Sequence, residues 1–469
     1  MNLFNTLSGK KELITKTRKP LRLFVCGPTV YDTPHIGNYR TFMAFDTLVK
    51  YMRSQGYAVT YLQNITDIDD KIIRRAQEEK TDWKKIARTY ERVYHRGEKL
   101  LDITAVSTYA RATNHIPEII RQIQTLIAKG YAYKIDDDGY YFDIRKFSTY
   151  GKLSHRTVAA AEDATSRIDE SSLKRNRGDF ALWKFSKEGE PSWKTPLGKG
   201  RPGWHIEDTA ITEKYFGSQY DMHGGAGELK FPHHEAEIAQ QEAASGKHPF
   251  VKTWIHTGIL LTHGQKMSKS LKNFVSVDDF LTHYDARVLR YMTLAHQYRS
   301  PIDYSDELAL QSAHALETIQ HFILKLNLIS SSAKSTQPVI KKIMTQVQKD
   351  FHAALADDFN TPQALAIIFS LFAILESHLA RLSTHDAQYI QEIILSLFAS
   401  LGLSFSKKIK IPAVILRLCT QREQARSYKQ FMQADALRNE IHQLGYSIED
   451  TPWGPFITPT NIFLHTAEK

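Results

Sequence analysis

The apolar positions near the N-terminus change their period twice. Leu21 to Val25 (Leu-Arg-Leu-Phe-Val) is a short, nearly continuous apolar run, which predicts a buried strand. Cys26-Gly27-Pro28-Thr29 breaks it. From Tyr39 to Gln55 the apolar residues Phe42, Phe45, Leu48, Val49 and Met52 recur at helical spacing, and Gly56 ends the helix they predict. Ala58 to Asn64 predicts a second strand. Strand, turn, helix, strand is the opening unit of a doubly wound α/β sheet. No Gly-x-Gly-x-x-Gly accompanies it, so a dinucleotide site is not supported.

Further along, His115 to Lys129 reads as an amphipathic helix. Tyr131 to Ile135 and Tyr140 to Ile144, split by Asp138-Gly139, predict a β-hairpin. The polar stretch Ser154 to Gly178 reads as irregular. Residues 116–200 therefore form an expected insertion between two halves of one domain, the second half returning near Gly203. Ser330 to Pro338 has the composition of a linker. Beyond it the pattern is helical. Thr361-Pro362 marks a helix start, with a capping hydroxyl and proline at the first helical position. Ala364 to Leu382 is apolar enough for core. Thr420 to Leu444 predicts one more helix, ended by Gly445, and Tyr446 to Leu464 carries three prolines among short β-like pieces.

Composition adds bounds. The 469 residues are enough for several domains, and 42% hydrophobic with 24% charged residues is ordinary for a soluble protein. No apolar run long enough for a membrane span and no signal peptide is read, so no membrane association is expected. The two cysteines, Cys26 and Cys419, cannot build a disulfide framework; a reducing, cytoplasmic location is expected. A net charge of +10 and a pI near 9.2 suit a polyanionic partner.

Two distant motifs carry chemistry. Pro34-His35-Ile36-Gly37-Asn38 follows the first strand, and Lys266-Met267-Ser268-Lys269-Ser270 lies far downstream. Lysines on a loop, with a histidine at a strand-to-helix turn, supply the cations and donors that phosphoryl chemistry on ATP needs. A third constellation centres on Cys26, at the strand end where open α/β sheets bind ligands. If Phe231 to Glu237 opens a helix, His233 and Glu237 lie one turn apart on one face, a metal-ligand spacing.

The pair of ATP signatures resembles those of class I aminoacyl-tRNA synthetases, with Asn38 where the family's first motif usually ends in histidine. The resemblance to the cysteinyl-tRNA synthetase family runs nearly end to end. It is carried by Phe24 to Tyr31, Asn64 to Lys71, Gly200 to Glu207, Asp221 to Gly225, Phe231 to Glu237, Lys266 to Ser270 and Asp357 to Pro362. Arg111 to Thr113 and Lys152 to Ser154 extend it into the insertion. The implied fold is a Rossmann-like catalytic domain (1–115 and 201–250) interrupted by a connective-peptide subdomain (116–200). A stem-contact region bearing the lysine loop (251–310), an α-helical bundle (311–405) and a small anticodon-binding domain (406–469) follow.

The resemblance implies ligation of L-cysteine to tRNA(Cys) through cysteinyl adenylate, with ATP and Mg2+ as substrate. It also implies one Zn2+ per subunit and a monomer. The family's zinc ligands are two cysteines, a histidine and a glutamate. Cys26, His233 and Glu237 match three of them; the fourth position holds Asp208. Carboxylate oxygen is an accepted zinc ligand, and the alternative is an unliganded Asp208 holding His205 or a water. His35, Asn38, Lys266 and Lys269 are the implied catalytic residues, and His35, Asn38, His223, Gly224, Gly225 and Lys269 the implied ATP contacts. Thr66, Trp204 and Glu228 are implied to meet cysteine or ribose. Phe431, Asp435, Asp450 and Trp453 are implied to read the anticodon, with Arg422, Arg426, Lys429 and Arg438 nearby for phosphate. Two other readings stay open: a ligase joining cysteine to an amino sugar, and a tRNA-binding module without catalysis.

Overall fold

The computed structural model describes residues 1–156, 171–267, 271, 273–331 and 336–465. They form two compact units, Met1–Val277 with Tyr298–Ile302, and Asp278–Gln297 with Asp303–Lys469.

The first unit begins with a hairpin of β1 (Asn2–Asn5) and β2 (Lys10–Leu13), then β3 (Leu21–Val25), α1 (Ile36–Ser54) and β4 (Val59–Ile65). Strand, helix and strand fall where the apolar pattern puts them. α1 is buried on nearly every side, which is why its apolar stripe is wide. Its one buried acid, Asp46, accepts from the backbone N–H groups of Thr104 (2.8 Å) and Ala105 (2.9 Å) and pairs with Lys50 (3.0 Å). α2 (Asp70–Glu78), α3 (Trp83–Leu100) and β5 (Thr108–Arg111) complete the first half.

The insertion starts with α4 (Ile116–Ala128) and the predicted hairpin, β6 (Ala132–Ile135) and β7 (Gly139–Phe142). The turn ends on Gly139, where a Cβ would lie 2.1 Å from the Trp183 carbonyl. Three strands not read from sequence extend it: β8 (Phe180–Phe185), β9 (Trp193–Thr195) and β10 (Gly198–Pro202), in an antiparallel sheet of order β6-β7-β8-β10-β9. Residues 157–170, most of the stretch read as irregular, lie outside the described residues.

The chain re-enters the first layer through α5 (Ile206–Phe216), β11 (Tyr220–Ala226), α6 (His233–Ser245) and β12 (Val251–Thr257). The resulting sheet is parallel throughout, in the order β12-β11-β3-β4-β5. Chain order reverses between β3 and β11. A crevice opens at that reversal, outside the carboxyl ends of the strands. A short hairpin, β13 (Leu260–Thr262) and β14 (Gln265–Lys266), follows.

In the second unit α7 (Ala286–Leu294) and α8 (Asp306–Lys325) precede a helical group of α9 (Pro338–Ala356), α10 (Thr361–Glu376) and α11 (Thr384–Ser400). Phe322 stacks on Phe372 at 4.2 Å in its core. Residues 332–335 of the expected linker lie outside the described residues. The start at Thr361-Pro362 is real, but the cap is Asn360, whose Oδ1 accepts from the Gln363 N–H at 3.1 Å. Asparagine caps as well as a hydroxyl does, so the signal is displaced by one residue.

The single helix expected over Thr420 to Leu444 is two, α12 (Ala413–Ser427) and α13 (Phe431–Gln443). Lys429 takes a left-handed φ of 60°, and the Gln430 N–H returns to the Ala425 carbonyl at 2.8 Å. This closes α12 without the glycine that usually marks such an end. β15 (Tyr446–Thr451) and β16 (Gly454–Pro459) form the terminal hairpin. No helix among the described residues is long and apolar enough to cross a membrane.

One buried acid ties the insertion to the parallel-sheet layer. Glu235, on α6, accepts from the Leu153 N–H (3.1 Å), the Ser154 N–H (2.9 Å) and the Ser154 hydroxyl (3.0 Å). Glu235→Ala leaves those donors unpaired, a loss of about 2 kcal/mol. Thermal unfolding followed by circular dichroism should show a midpoint lower by roughly 3 °C; an unchanged midpoint contradicts this role.

Candidate active site

The site is assembled at the chain reversal. Cys26 is held at the end of β3 by its N–H to the Gly224 carbonyl of β11 (3.1 Å). Gly27 follows because nothing larger fits: an added Cβ would sit 1.8 Å from the Asn64 carbonyl oxygen. Its N–H donates to Asn64 Oδ1 at 2.6 Å, locking the turn onto β4.

Two helices aim side chains at Cys26. Asp208 lies in the first turn of α5; His233 and Glu237 lie one turn apart at the start of α6. The Cys26 thiol meets Glu237 Oε1 at 3.6 Å and Asp208 Oδ2 at 3.7 Å. His233 Nε2 is 2.9 Å from each of those oxygens. All four residues are buried. Tetrahedral zinc sites place two N/O ligand atoms about 3.3 Å apart, and sulfur about 3.6 Å from oxygen, from the usual bond lengths. The sulfur–oxygen pairs already have that spacing.

Electrostatics make the same point. A thiolate and two carboxylates in one dry pocket repel each other and lack solvation. Burial, then the Glu237 and Asp208 charges, push the Cys26 thiol well above its usual range. Burial raises Glu237 to about 7, although His233 opposes the shift. Burial alone would lower His233, but the two carboxylates outweigh it and lift the imidazole to about 10. A divalent cation satisfies all four groups at once, and the buried Asp208 Oδ1 has no hydrogen-bond partner. One thiol, one imidazole and two carboxylates fit a zinc-type ion.

His234, His256 and His205 surround this cluster, and of these the sequence singles out only His205. His234 Nε2 is 3.1 Å from Cys26 Sγ, its other nitrogen 2.8 Å from His256 Nε2. Cys26, His233, His234 and Glu237 have donor atoms all within 4.8 Å of one another, so His234 is a further candidate donor. His205 Nδ1 lies 2.7 Å from His233 Nδ1, fixing that ring. The doublet His233-His234 is the available signal: adjacent helical residues at a buried helix start both point inward.

Cys26 also lines an open cleft of about 640 Å³ with Trp204, His35, Asn38, Glu228 and Lys266. Trp204 packs its ring 4.9 Å from that of His233, above the cluster. Thr66 is buried and donates to Glu207, a buried acid whose pKa is raised by burial and then by Asp208. In the sequence Glu207 stands out only as part of a motif; a carboxylate beside a candidate ligand gives no periodic signal.

At the cleft's mouth, Asn38 Oδ1 accepts from the His35 N–H at 3.0 Å, closing the first turn of α1. Burial first, then the Lys266 charge, lowers His35 to about 4, so the ring is neutral near pH 7. Its Nδ1 is buried without a hydrogen-bond partner. Lys266 pairs with Glu228 at 2.6 Å, both exposed. Lys269 lies outside the described residues.

His223 stands elsewhere. Its ring is fully buried, 3.3 Å from Cys26 Sγ and 2.7 Å from the Tyr220 hydroxyl, and stacks on Trp254. The close approaches at Gly224 and Gly225 are to Phe45 and His234, which an added Cβ would meet at 2.3 and 2.7 Å. In the second unit, Phe431 and Asp435 are exposed, and Trp453 sits in the terminal hairpin's turn. Asp450 is held by Arg422 (2.8 and 2.9 Å) and Arg426 (2.8 Å), and Arg422 is buried, so Arg422 braces Asp450 and does not face solvent. Cys419 belongs to the small core of α12 and α13, with Ile415 and Ile441.

Comparison with known proteins agrees with this geometry. The profile of the tRNA synthetases class I (C) catalytic domain matches residues 13–315, and that of the DALR domain residues 350–406. A cysteine--tRNA ligase of Caldicellulosiruptor saccharolyticus is 41% identical over 463 residues, covering 97% of this chain and 98% of its own length. One from Thermococcus gammatolerans is 39% identical over 472 residues, with the same coverage. Among solved structures, Mycobacterium tuberculosis methionyl-tRNA synthetase bound by methionyl-adenylate superposes with a TM-score of 0.61 at 14% identity, over 82% of this chain and 90% of that one. A LeuRS in ternary complex with tRNA and LeuAMS from Agrobacterium radiobacter gives 0.62 at 12% identity, over 82% and 83%. With a parallel sheet that reverses beside Cys26 and relatives matched along nearly its whole length, the chain belongs to the cysteine--tRNA ligase family of class I tRNA synthetases.

Proposed function

We propose that this protein activates L-cysteine with ATP and transfers it to the 3′ end of tRNA(Cys). One observation carries the reading: Cys26 belongs both to the buried donor cluster and to the wall of the cleft that holds His35 and Lys266. A thiol-selecting floor and a phosphate-handling mouth therefore share one cavity.

Cys26, Asp208, His233 and Glu237 would hold zinc. A zinc ion there supplies a Lewis acid that favours a substrate thiolate over the serine hydroxyl. Trp204 packs over the bound amino acid, and Thr66, oriented by Glu207, faces it. Glu228 takes the substrate amine or the ribose hydroxyls. The cysteine carboxylate attacks the α-phosphate of Mg-ATP, and pyrophosphate departs. Lys266 and Lys269 offset charge on the phosphates, and His35, neutral, donates a hydrogen bond to them. Asn38 keeps the turn of α1 in place. The backbone of His223, Gly224 and Gly225 supports the adenosine side. The tRNA ribose hydroxyl then attacks the adenylate carbonyl, releasing AMP. Residues 116–200 form the connective peptide and 251–310 the stem-contact region; 406–469 reads the anticodon through Phe431, Asp435 and Trp453, with Asp450 set by its arginines.

Cysteine-dependent ATP–pyrophosphate exchange that ignores serine tests the first step. Cys26→Ala should lower that exchange by at least about a thousandfold and reduce bound zinc, measured by atomic emission, while ATP affinity stays close to that of the parent protein. Normal cysteine turnover in this variant would sink the metal-site assignment.

Lys266→Ala removes a cation needed most in the transition state. It should lower kcat for exchange on the order of a hundredfold, with a much smaller change in the KM for cysteine. A pure KM effect would instead mark Lys266 as a ground-state contact.

Phe431→Ala and Trp453→Ala should each lower kcat/KM for charging tRNA roughly tenfold, the value of one stacked base. Exchange without tRNA should not change. Charging at the parental rate would remove these two aromatics from RNA reading.

A further inference from the structure

Helix α3 separates two cavities. Tyr90 and Tyr94, one turn apart, line the catalytic cleft. Lys84, Arg88, Glu91 and His95, spaced by three or four residues, face away from it and line a second cavity of about 890 Å³. This cavity has no part in the reaction described above. Its floor is built from Asp67 after β4 and from Arg111, Thr113 and Asn114 at the end of β5. It therefore lies at the carboxyl edge of the parallel sheet, where α/β folds place ligands. Trp193 of the insertion closes its other side.

The lining pairs aromatic faces with positive charge. Trp83 and Trp193 meet edge to face at 6.0 Å, and each is partly exposed. Lys84, Arg88, Arg92 and Arg111 supply cations, against the carboxylates of Asp67 and Glu91. Those acids are already engaged. Asp67 accepts from the Thr113 N–H (2.9 Å) and hydroxyl (2.5 Å), and Glu91 from Arg111 Nε (2.8 and 3.0 Å). The Glu91 carboxylate at 3.8 Å and the hydrogen-bonded Glu98 carboxylate at 2.8 Å raise His95 to about 9, so the imidazole is charged at neutral pH. Arg88 and Arg92 are exposed on the cavity's rim.

We propose that this cavity binds a nucleotide, its base against the Trp83–Trp193 pair and its phosphate on Arg88 and Arg92. Stacking on indoles combined with guanidinium contacts to phosphate is the chemistry of sequence-tolerant nucleotide binding. The nucleotide belongs either to a single-stranded RNA segment or to a free mononucleotide. The RNA source rests on the tRNA-charging reading; the site's geometry does not.

The test uses the full-length protein with its catalytic cleft filled by a sulfamoyl analogue of cysteinyl adenylate. Fluorescence anisotropy of a 5′-labelled single-stranded RNA tetranucleotide reports binding, and AMP is titrated as competitor. R88A/R92A and Trp193→Ala should each weaken binding about tenfold or more, while Trp193→Phe keeps it. The double variant should also flatten the log–log salt slope by roughly 0.7, the value of one phosphate contact on a single strand. Displacement by AMP at similar concentration assigns the site to free nucleotides; RNA binding that resists AMP assigns it to the strand. Unchanged RNA and AMP affinity in both disruptive variants, or no binding of either probe to the parent protein, overturns the proposal. Cysteine-dependent exchange is measured on the same preparations before the analogue is added and should be equal in all. Its absence would count against the charging reading and leave the cavity result standing.

Discussion

The constraint on which the site depends is the burial of like charges. Cys26, Asp208 and Glu237 reach one dry point from three separate elements, with Glu207 close behind. Acids are almost never packed this way unless protons or a cation compensate. The strain shows in the protonation of the groups: burial pushes the Cys26 thiol up and, against the pull of His233, carries Glu237 to about 7. The fold accepts the arrangement because the chain reverses direction between β3 and β11 there. Helices that begin at that edge present their first-turn side chains to a common centre. Gly27, Gly224 and Gly225 make room, since a Cβ on any of them would collide with Asn64, Phe45 or His234.

The mouth of the cleft is built on the opposite principle. Its charges are exposed and loosely committed. The Lys266–Glu228 pair is open to solvent, the kind of ion pair worth about 0–1 kcal/mol. Exchanging Glu228 for a phosphate oxygen therefore costs little, which suits a lysine that must engage and release a nucleotide. The neutral His35 can donate a hydrogen bond without adding fixed charge beside Lys266. On the proposed roles, rigid, buried chemistry would select the side chain, and exposed, solvated chemistry would handle the phosphates.

How much of this is legible in the sequence follows from which interactions are local. The strand at Leu21, the buried helix after it, the hairpin at Gly139 and the start near Thr361 announce themselves within a few residues. Lys429 does not. A lysine at positive φ carries no breaker signal, so α12 and α13 read as one helix. The antiparallel extension β8-β10-β9 is equally silent, because β9 (Trp-Lys-Thr) is very short and β10 (Gly-Lys-Gly-Arg-Pro) lacks strand-favouring side chains. In the site, His233 and Glu237 are visible as a helical pair. His234 is visible only as half of the His233-His234 doublet, and the buried position of His223 is not visible. His234 is an ordinary neighbour on α6, and the glycines that follow His223 suggest a nucleotide loop instead of a buried ring. Pairings that arise only when β11 docks on β3 leave no trace in any window of sequence.

The substitution at position 208 connects these levels. In the family that this chain resembles from its sequence, the zinc ligands include two cysteines. Here the second sulfur is replaced by a carboxylate of equal formal charge, placed 2.9 Å from His233 Nε2. The electrostatic balance of the pocket is kept, so the fold need not change. What changes is softness. On the proposed ligand set the ion receives electron density from one thiolate instead of two, which leaves it a stronger acceptor for an incoming sulfur. On that proposal, selection of cysteine over serine would rest on that incoming bond and not on the softness of the protein's own ligands. A harder site is therefore compatible with thiol selection, and its consequence falls on which metal the protein retains and how tightly.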